Sequence, residues 1–303
     1  EMTDETIEIN GFTLYRIKAL KDFGNVEAGD LGGFIEHEEN LSHDKNCWID
    51  DNAKVYGDAK VYDNAFIFEN AEIYDEVKVY GRAQIYENAK VFNNAKVFGN
   101  AEIYGNAVIY DNAKICDKAE IYGDTNVYDN AVVFDNARIS ENAKICDNAK
   151  IFNNAKVYGN AAVHDSAKIF DNAKIYNDAF ISDYAQVYGN ARISGSARIF
   201  GNAKICDDAF VSNKARIYHN AMISDNANIL ENAEIFENAR IFESAYISDY
   251  ARVFGKAKVF GNAAVHHEAH VSENAEVYGN ANICCNNRIM GNAKISGNET
   301  ISK

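Results

Sequence analysis

The sequence predicts an all-β fold, a parallel solenoid in which very short strands stack in triangular coils of about 18 residues. Three observations predict it. A six-residue unit recurs without insertion from Ala53 to Asn298. All 41 third positions of that unit, from Val55 to Ile295, are Val or Ile, and the first is Ala in 38 of 41, the exceptions being Val77, Thr125 and Asn287. The sixth position is Asn or Asp at 30 of the 41 sites from Asn52 to Asn292.

Each position of the unit Ala53-Lys54-Val55-Tyr56-Gly57-Asp58 has a physical reason. Positions one and three are apolar and alternate with two and four, as on a strand with one buried face. Positions five and six form the bend. Gly, Asp, Asn or Glu fills position five nearly everywhere and Asn dominates position six, residues that tolerate the left-handed backbone region of a tight corner. A helix is excluded, because a six-residue apolar period cannot hold one face at about 3.6 residues per turn. One strand cannot bury its own apolar face, so coils must stack. Three units per coil make a narrow prism, with Ala near each corner, Val or Ile filling each side, and no internal pocket. About 14 such coils at roughly 4.8 Å would form a rod on the order of 65 Å long.

The pattern Val/Ile-x-Gly/Asp-Asn-Ala-x resembles the hexapeptide repeat of the left-handed parallel β-helix superfamily, best known from bacterial acyltransferases. The resemblance covers about 250 of the 303 residues. It alone implies the left hand, since the usual crossover preference points the other way. The sequence departs from the family pattern in having no Pro and in placing Tyr or Phe at 25 of 41 fourth positions.

Residues 1–46 differ in kind from the solenoid of 47–303. Thr6 to Ile9, the turn Asn10-Gly11, and Phe12 to Ile17 read as a hairpin. Gly29 to Ile35 reads as a turn leading into an irregular first coil. A solenoid end exposes unpaired strand edges, so this block is expected to act as an N-terminal cap. An independent binding or targeting module is the alternative, against which stands the small core that so few residues can build. The run Leu14 to Glu39 resembles the leading block of hexapeptide-repeat proteins carried by phages and prophages, which implies a context and not an activity. At the other end Asn287 replaces the core Ala, Met290 takes a fourth position, and the register runs out at Ile301-Ser302-Lys303. That end predicts a homo-oligomer by end-to-end pairing, whereas the superfamily's trimers imply side-by-side association.

The net charge of −15 disfavours attraction to bare nucleic acid or to an anionic membrane, and no apolar run is long enough to span a bilayer. The acidic start lacks the apolar core of a secretory signal. Of the six Cys, Cys116 and Cys206 share a side but stand about 24 Å apart at the strand spacing. A disulfide needs Cα atoms within about 7 Å. Free thiols and a reducing, cytoplasmic setting are therefore expected.

Residues eighteen apart stack into columns. One second-position column runs Lys60, Lys78, Lys96, Lys114, Val132, Lys150, Lys168, with the fourth-position residues Tyr62, Tyr80 and Phe98 beside it. The functional reading is a docking face for an anionic polymer or an acidic protein partner. The structural reading is a set of aromatic ladders covered by Lys stems whose ammonium groups bond corner carboxylates. So many outward rings also point to lateral self-association.

Acyltransferases of the superfamily use a His as general base at a subunit interface, walled by extruded loops. Here the repeats contain no insertion, and His164, His219, His266, His267 and His270 all sit on the regular coil. No catalytic residue and no cofactor are assigned. His266, His267 and His270, with Glu268, are weak metal candidates that need the corner to fold back. The three-His arrangement of a γ-class carbonic anhydrase is not produced by the columns, and neither a Gly-rich phosphate loop nor a nucleophile elbow occurs. The expected function is a non-catalytic, self-associating scaffold or binding protein, phage-type and directed at a host component. The alternatives are an acyl-CoA-dependent acyltransferase with an interface site, and a nucleic-acid binder or acidic mimic.

Overall fold

The computed structural model describes residues 1–302. It is all-β apart from one 3-10 turn at Glu38–Asn40, and it falls into two compact units, Glu1–Asn148 and Ala149–Lys303.

The first unit begins with β1 (Met2–Ile9) and β2 (Phe12–Lys18), an antiparallel hairpin joined by Asn10 and Gly11 at φ 50° and 86°. This is the turn that Asn-Gly favours, because both residues accept positive φ. β2 pairs antiparallel with β3 (Leu31–Ile35). β3 in turn lies parallel to β5 (Lys54–Val55), Phe34 opposite Lys54 and Ile35 opposite Val55. The hairpin therefore extends one solenoid sheet and covers that sheet's edge. Leu14, Phe34 and Tyr56 are buried together at the junction, with Ile7, Ile9 and Tyr74 packed around them. β3 passes so close to the coil that a Cβ on Gly33 would meet the Ala53 carbonyl oxygen at 2.5 Å. Only glycine permits that approach. The irregular coil that follows holds β4 (Trp48–Ile49). Asn40, 2% exposed, fastens it by donating to the carbonyls of Gly57 and Ala59 at 2.9 Å each.

From Lys54 onward each strand is two residues long and comprises positions two and three of the repeat. Strands pair parallel with those eighteen residues on: Lys54 opposite Glu72, Phe66 opposite Gln84. The second unit repeats this, with Lys156 opposite Lys174 and Ala162 opposite Phe180. The N–H groups of positions two, four and six donate to the carbonyls of positions one, three and five in the next coil. Lys54 to Ala71 at 2.9 Å, Tyr56 to Ile73 at 3.0 Å and Asn64 to Gly81 at 2.8 Å are examples. Inside, first- and third-position side chains such as Ala53 and Val55 in the first unit and Ala251 and Val253 in the second are wholly buried, so within each unit the apolar faces meet in a core.

The corner chemistry is divided differently from the sequence expectation. Every position-five residue from Asp51 to Gly297 lies in the left-handed region, with φ between 52° and 77°. Position six does not share it. Its Asn side chains instead line up between coils: Asn88 Nδ2 donates to Asn106 Oδ1 at 3.2 Å, and Asn106 Nδ2 to Asp124 Oδ1 at 2.8 Å. Asp at position five accepts from the position-five N–H of the following coil, as Asp75 from Asn93 at 3.0 Å and Asp225 from Glu243 at 2.9 Å. The corner acids thus complete the backbone's hydrogen bonding. Two exceptions to the core Ala are explained the same way. The buried Thr125 hydroxyl donates to the Tyr122 carbonyl at 2.7 Å, and the Asn287 amide to the Cys284 carbonyl at 2.6 Å.

The expected absence of an internal pocket concerns the regular coils, whose first- and third-position side chains are buried. At the N-terminal block the first unit holds a cleft of about 320 Å³ beside β2, lined by Ile17, Phe23, Ile35, Leu41, Cys47 and Trp48. It exists because residues 19–47 leave the hexad pattern and do not fill their coil.

Candidate functional site

The lysine column forms as the arithmetic requires. In the first unit β6 (Lys60–Val61) sets Lys60 opposite Lys78, Lys78 opposite Lys96, and Lys96 opposite Lys114. Lys60, Lys78 and Lys114 are exposed and Lys96 is half-buried. In the second unit Lys150 stands opposite Lys168, both exposed. Among the described residues, none of these six has a carboxylate within ion-pair distance. That departs from the expectation that the ammonium groups bond corner carboxylates. Corner acids accept from backbone N–H groups, as Asp75 does from Asn93 at 3.0 Å, and Asp63 accepts from Gly81 at 3.2 Å while its other oxygen meets Lys45, outside the column, at 2.8 Å.

Some cations elsewhere are paired, while others, Lys144, Lys156, Lys174 and Lys204 among them, likewise have no carboxylate at ion-pair distance among the described residues. Lys90 meets the nearly buried Glu72 at 3.0 Å, and Lys258 and Lys294 both meet Glu276, at 3.1 and 3.0 Å. Arg216 and Arg252 converge on Glu234. The row from Lys60 to Lys114 is a linear array of cations without an ion pair among the described residues.

The aromatic part of the face is not the exposed surface that was expected. Tyr62 and Tyr80 stack at 4.9 Å between centroids with 6° between planes, and Tyr80 and Phe98 at 4.8 Å and 3°. All three rings are half-buried by their neighbours, and burial holds the Tyr62 and Tyr80 hydroxyls above the usual tyrosine range. Stacking at the coil spacing hides ring faces that a single outward aromatic would present. The large apolar residues that stay exposed include Tyr184, Tyr246 and Tyr250, which are outside the predicted face. Self-association thus loses the support it drew from outward rings.

The sequence reading passed over a second basic row. In the second unit Lys156, Lys174 and Arg192 are exposed and in register, and the Arg192 guanidinium lies 5.1 Å from the Phe210 ring centre. Its column changes character beyond Arg192, to Phe210 and Asn228, so the column's average hid it.

All six cysteines are free, and only Cys285 is exposed. Burial, with the neighbouring Asp117 and Asp207 carboxylates, pushes the thiols of Cys116 and Cys206 up to about 12 and about 11. Such thiols are poor nucleophiles.

The histidine candidates separate. His266 and His267 stay together at one corner of the second unit, and their ligand atoms gather with Asp249, all within 4.8 Å of one another. His270 does not join them. It is the second-position residue of the next strand, edge-on to Phe254 at 6.4 Å, where burial and the adjacent Arg252 and Arg288 charges lower its proton affinity. The corner does not need to fold back, because the third donor comes from the neighbouring coil. Asp249 was missed by searching along the chain. Its signal is its offset of eighteen from His267.

No helix of the chain is long and apolar enough to cross a membrane. No curated protein matches the chain. A family model described as YdcK Beta solenoid repeat matches residues 185–201, one stretch of the second unit's coils. The chain is a β-solenoid repeat protein in its fold, and in that stretch its sequence is similar to the YdcK solenoid repeat.

Proposed function

We propose that the protein is a non-catalytic scaffold that uses the row Lys60, Lys78, Lys96, Lys114 to dock an acidic protein segment. One observation carries the reading: four lysines stand in register with no carboxylate among the described residues paired to them. Adjacent like charges at roughly 4.8 Å repel, and an acidic partner relieves that repulsion at four points at once. Protein is favoured over nucleic acid because the net charge of −15 opposes the approach of a long polyanion more than that of a short acidic patch, whose contacts fall within a Debye length of about 8–10 Å. The phage-type hexapeptide-repeat character of the leading block, a host component as target, a cytoplasmic setting matched to free thiols and homo-oligomerisation all belong to this proposal.

The test uses fluorescent poly-L-glutamate and a duplex DNA of equal charge. Wild-type protein binds polyglutamate at low salt. The triple variant Lys78→Glu, Lys96→Glu, Lys114→Glu does not, while equal charge changes at the scattered corner residues Lys118, Lys214 and Lys256 leave binding within about threefold. Unchanged binding by the triple variant overturns the site. Tighter binding of DNA than of polyglutamate transfers the row to a nucleic-acid role.

A further inference from the structure

The corner holding His266 and His267 offers more than two adjacent rings. Asp249 and His267 are position-five residues of successive coils, both left-handed at φ 58° and 57°, which sets their side chains one above the other. The His267 N–H donates to Asp249 Oδ2 at 3.0 Å. That bond pins the carboxylate and leaves Oδ1 available. On the adjoining fourth position, His266 Nε2 lies 2.7 Å from Asn282 Oδ1. An amide oxygen only accepts, so His266 carries its proton on Nε2 and a lone pair on Nδ1. That Nδ1 stands 2.6 Å from Nδ1 of His267. Two imidazole nitrogens and a carboxylate thus converge, with the remote nitrogen of one ring held by a carbonyl. An outer bond of that kind orients histidines that ligate metals.

We propose that Asp249, His266 and His267 form a binding site for a borderline divalent cation of the zinc class. The donor set decides the class: imidazole selects zinc and its neighbours over magnesium and calcium, which take oxygen ligands. Two nitrogens on one tetrahedral zinc stand roughly 3.3 Å apart, so the rings must part by less than about 1 Å to admit the ion. A fourth position is left for water or for a thiol. Cys285 follows His267 by eighteen residues on the same corner, and Cys284 follows His266 in the same way. Their sulfurs are 3.6 Å apart, and Cys285 is exposed. Bound metal would tie the coil of Asp249 to the next, a crosslink added to the hydrogen bonds and stacked side chains by which successive coils meet. The site is independent of the lysine row.

The test is Zn²⁺ titration of the full chain against a chromophoric chelator, repeated with Co²⁺ to read the ligand field. Wild-type protein takes up one equivalent with micromolar or tighter affinity, and the Co²⁺ form shows intense tetrahedral d–d bands. His266→Asn with His267→Asn removes the site while leaving the metal-free melting temperature unchanged. Asn282→Ala, which frees a ring without touching the metal, weakens binding by about 10–100-fold. The proposal fails if the wild type binds no Zn²⁺ below about 100 μM, or if the double His variant binds as the wild type does. It also fails if Cys285→Ser abolishes binding that the double His variant retains. If the double variant does not fold, Asp249→Asn and Asn282→Ala decide the matter by the same affinity readout.

Discussion

Asp183 Oδ2 accepts a hydrogen bond from the backbone N–H of Gly201 at 2.7 Å, one coil further on. The bond joins two position-five residues, both in the left-handed region at φ 57° and 70°. Asp is suited to the place on two grounds: it enters that region at lower cost than most side chains, and its carboxylate serves a corner N–H that no carbonyl reaches. Replacing Asp183 by Ala removes the acceptor and adds backbone strain, for a loss of about 1–2 kcal/mol. Asp183→Asn keeps an acceptor and loses less. Amide exchange at Gly201 checks this directly, being faster in the Ala variant and close to wild type in the Asn variant. Equal exchange in all three would dissolve the corner account.

Much of this was legible from the residues. The unbroken Val/Ile third position defines the buried face, and Asn10-Gly11 places the hairpin turn, because both signals act over a few residues. What the repeat could not reveal lies in contacts between coils. Asp63 gives one oxygen to the Gly81 N–H and the other to Lys45, outside the lysine column, and Tyr80 hides its faces against Tyr62 and Phe98. Which partners a side chain takes depends on its direction within a column, which spacing alone leaves open. Asp249 beside His267 was within reach of column arithmetic. A search along the contiguous run from His266 to His270 follows the chain around a corner and onto the next sheet, so it gathers the wrong third residue.

The core predicts unequal penalties. Ile121 is wholly buried between stacked neighbours, and Ile121→Ala opens a cavity that a solid prism cannot close, costing about 2–5 kcal/mol. Thr125, also wholly buried, has its hydroxyl satisfied within its own turn. Thr125→Ala restores the residue of nearly every other repeat and removes donor and methyl together, so the change stays within about 1 kcal/mol. Denaturant midpoints of the two variants should differ in that order.

Thiol labelling separates Cys285 from the rest. At pH 8 a buried thiol pushed up to about 11, as at Cys47 and Cys206, is ionised to about one part in a thousand. It is also shielded. Metal-free native protein should therefore react rapidly at Cys285 alone, and Cys285→Ser should remove the fast phase, whereas denatured protein should show all six thiols. A fast phase that survives Cys285→Ser would mean that one of the buried sites opens readily.

The acid limb of stability should be carried in part by Glu72. Its Oε1 accepts from the Tyr56 hydroxyl at 2.6 Å and its Oε2 meets Lys90 at 3.0 Å, at the junction that seats the hairpin. Burial alone would raise its proton affinity, but the Tyr56 and Lys90 bonds outweigh burial and hold the carboxyl below the ordinary glutamate range. A carboxylate with a depressed folded-state value stabilises the fold at pH above its unfolded value of 4.5. That contribution is lost as pH falls through the folded value. At pH 7, Glu72→Gln breaks the ion pair and costs about 1–3 kcal/mol. The difference between wild type and variant should then shrink as pH falls below 4.5 and the wild-type carboxyl takes up its proton. Amide exchange in β1 and β2 gives the site-specific version of the measurement, because those strands rest on Tyr56. A gap between the two proteins that stays constant across that range would remove Glu72 from the acid response and leave its role to packing.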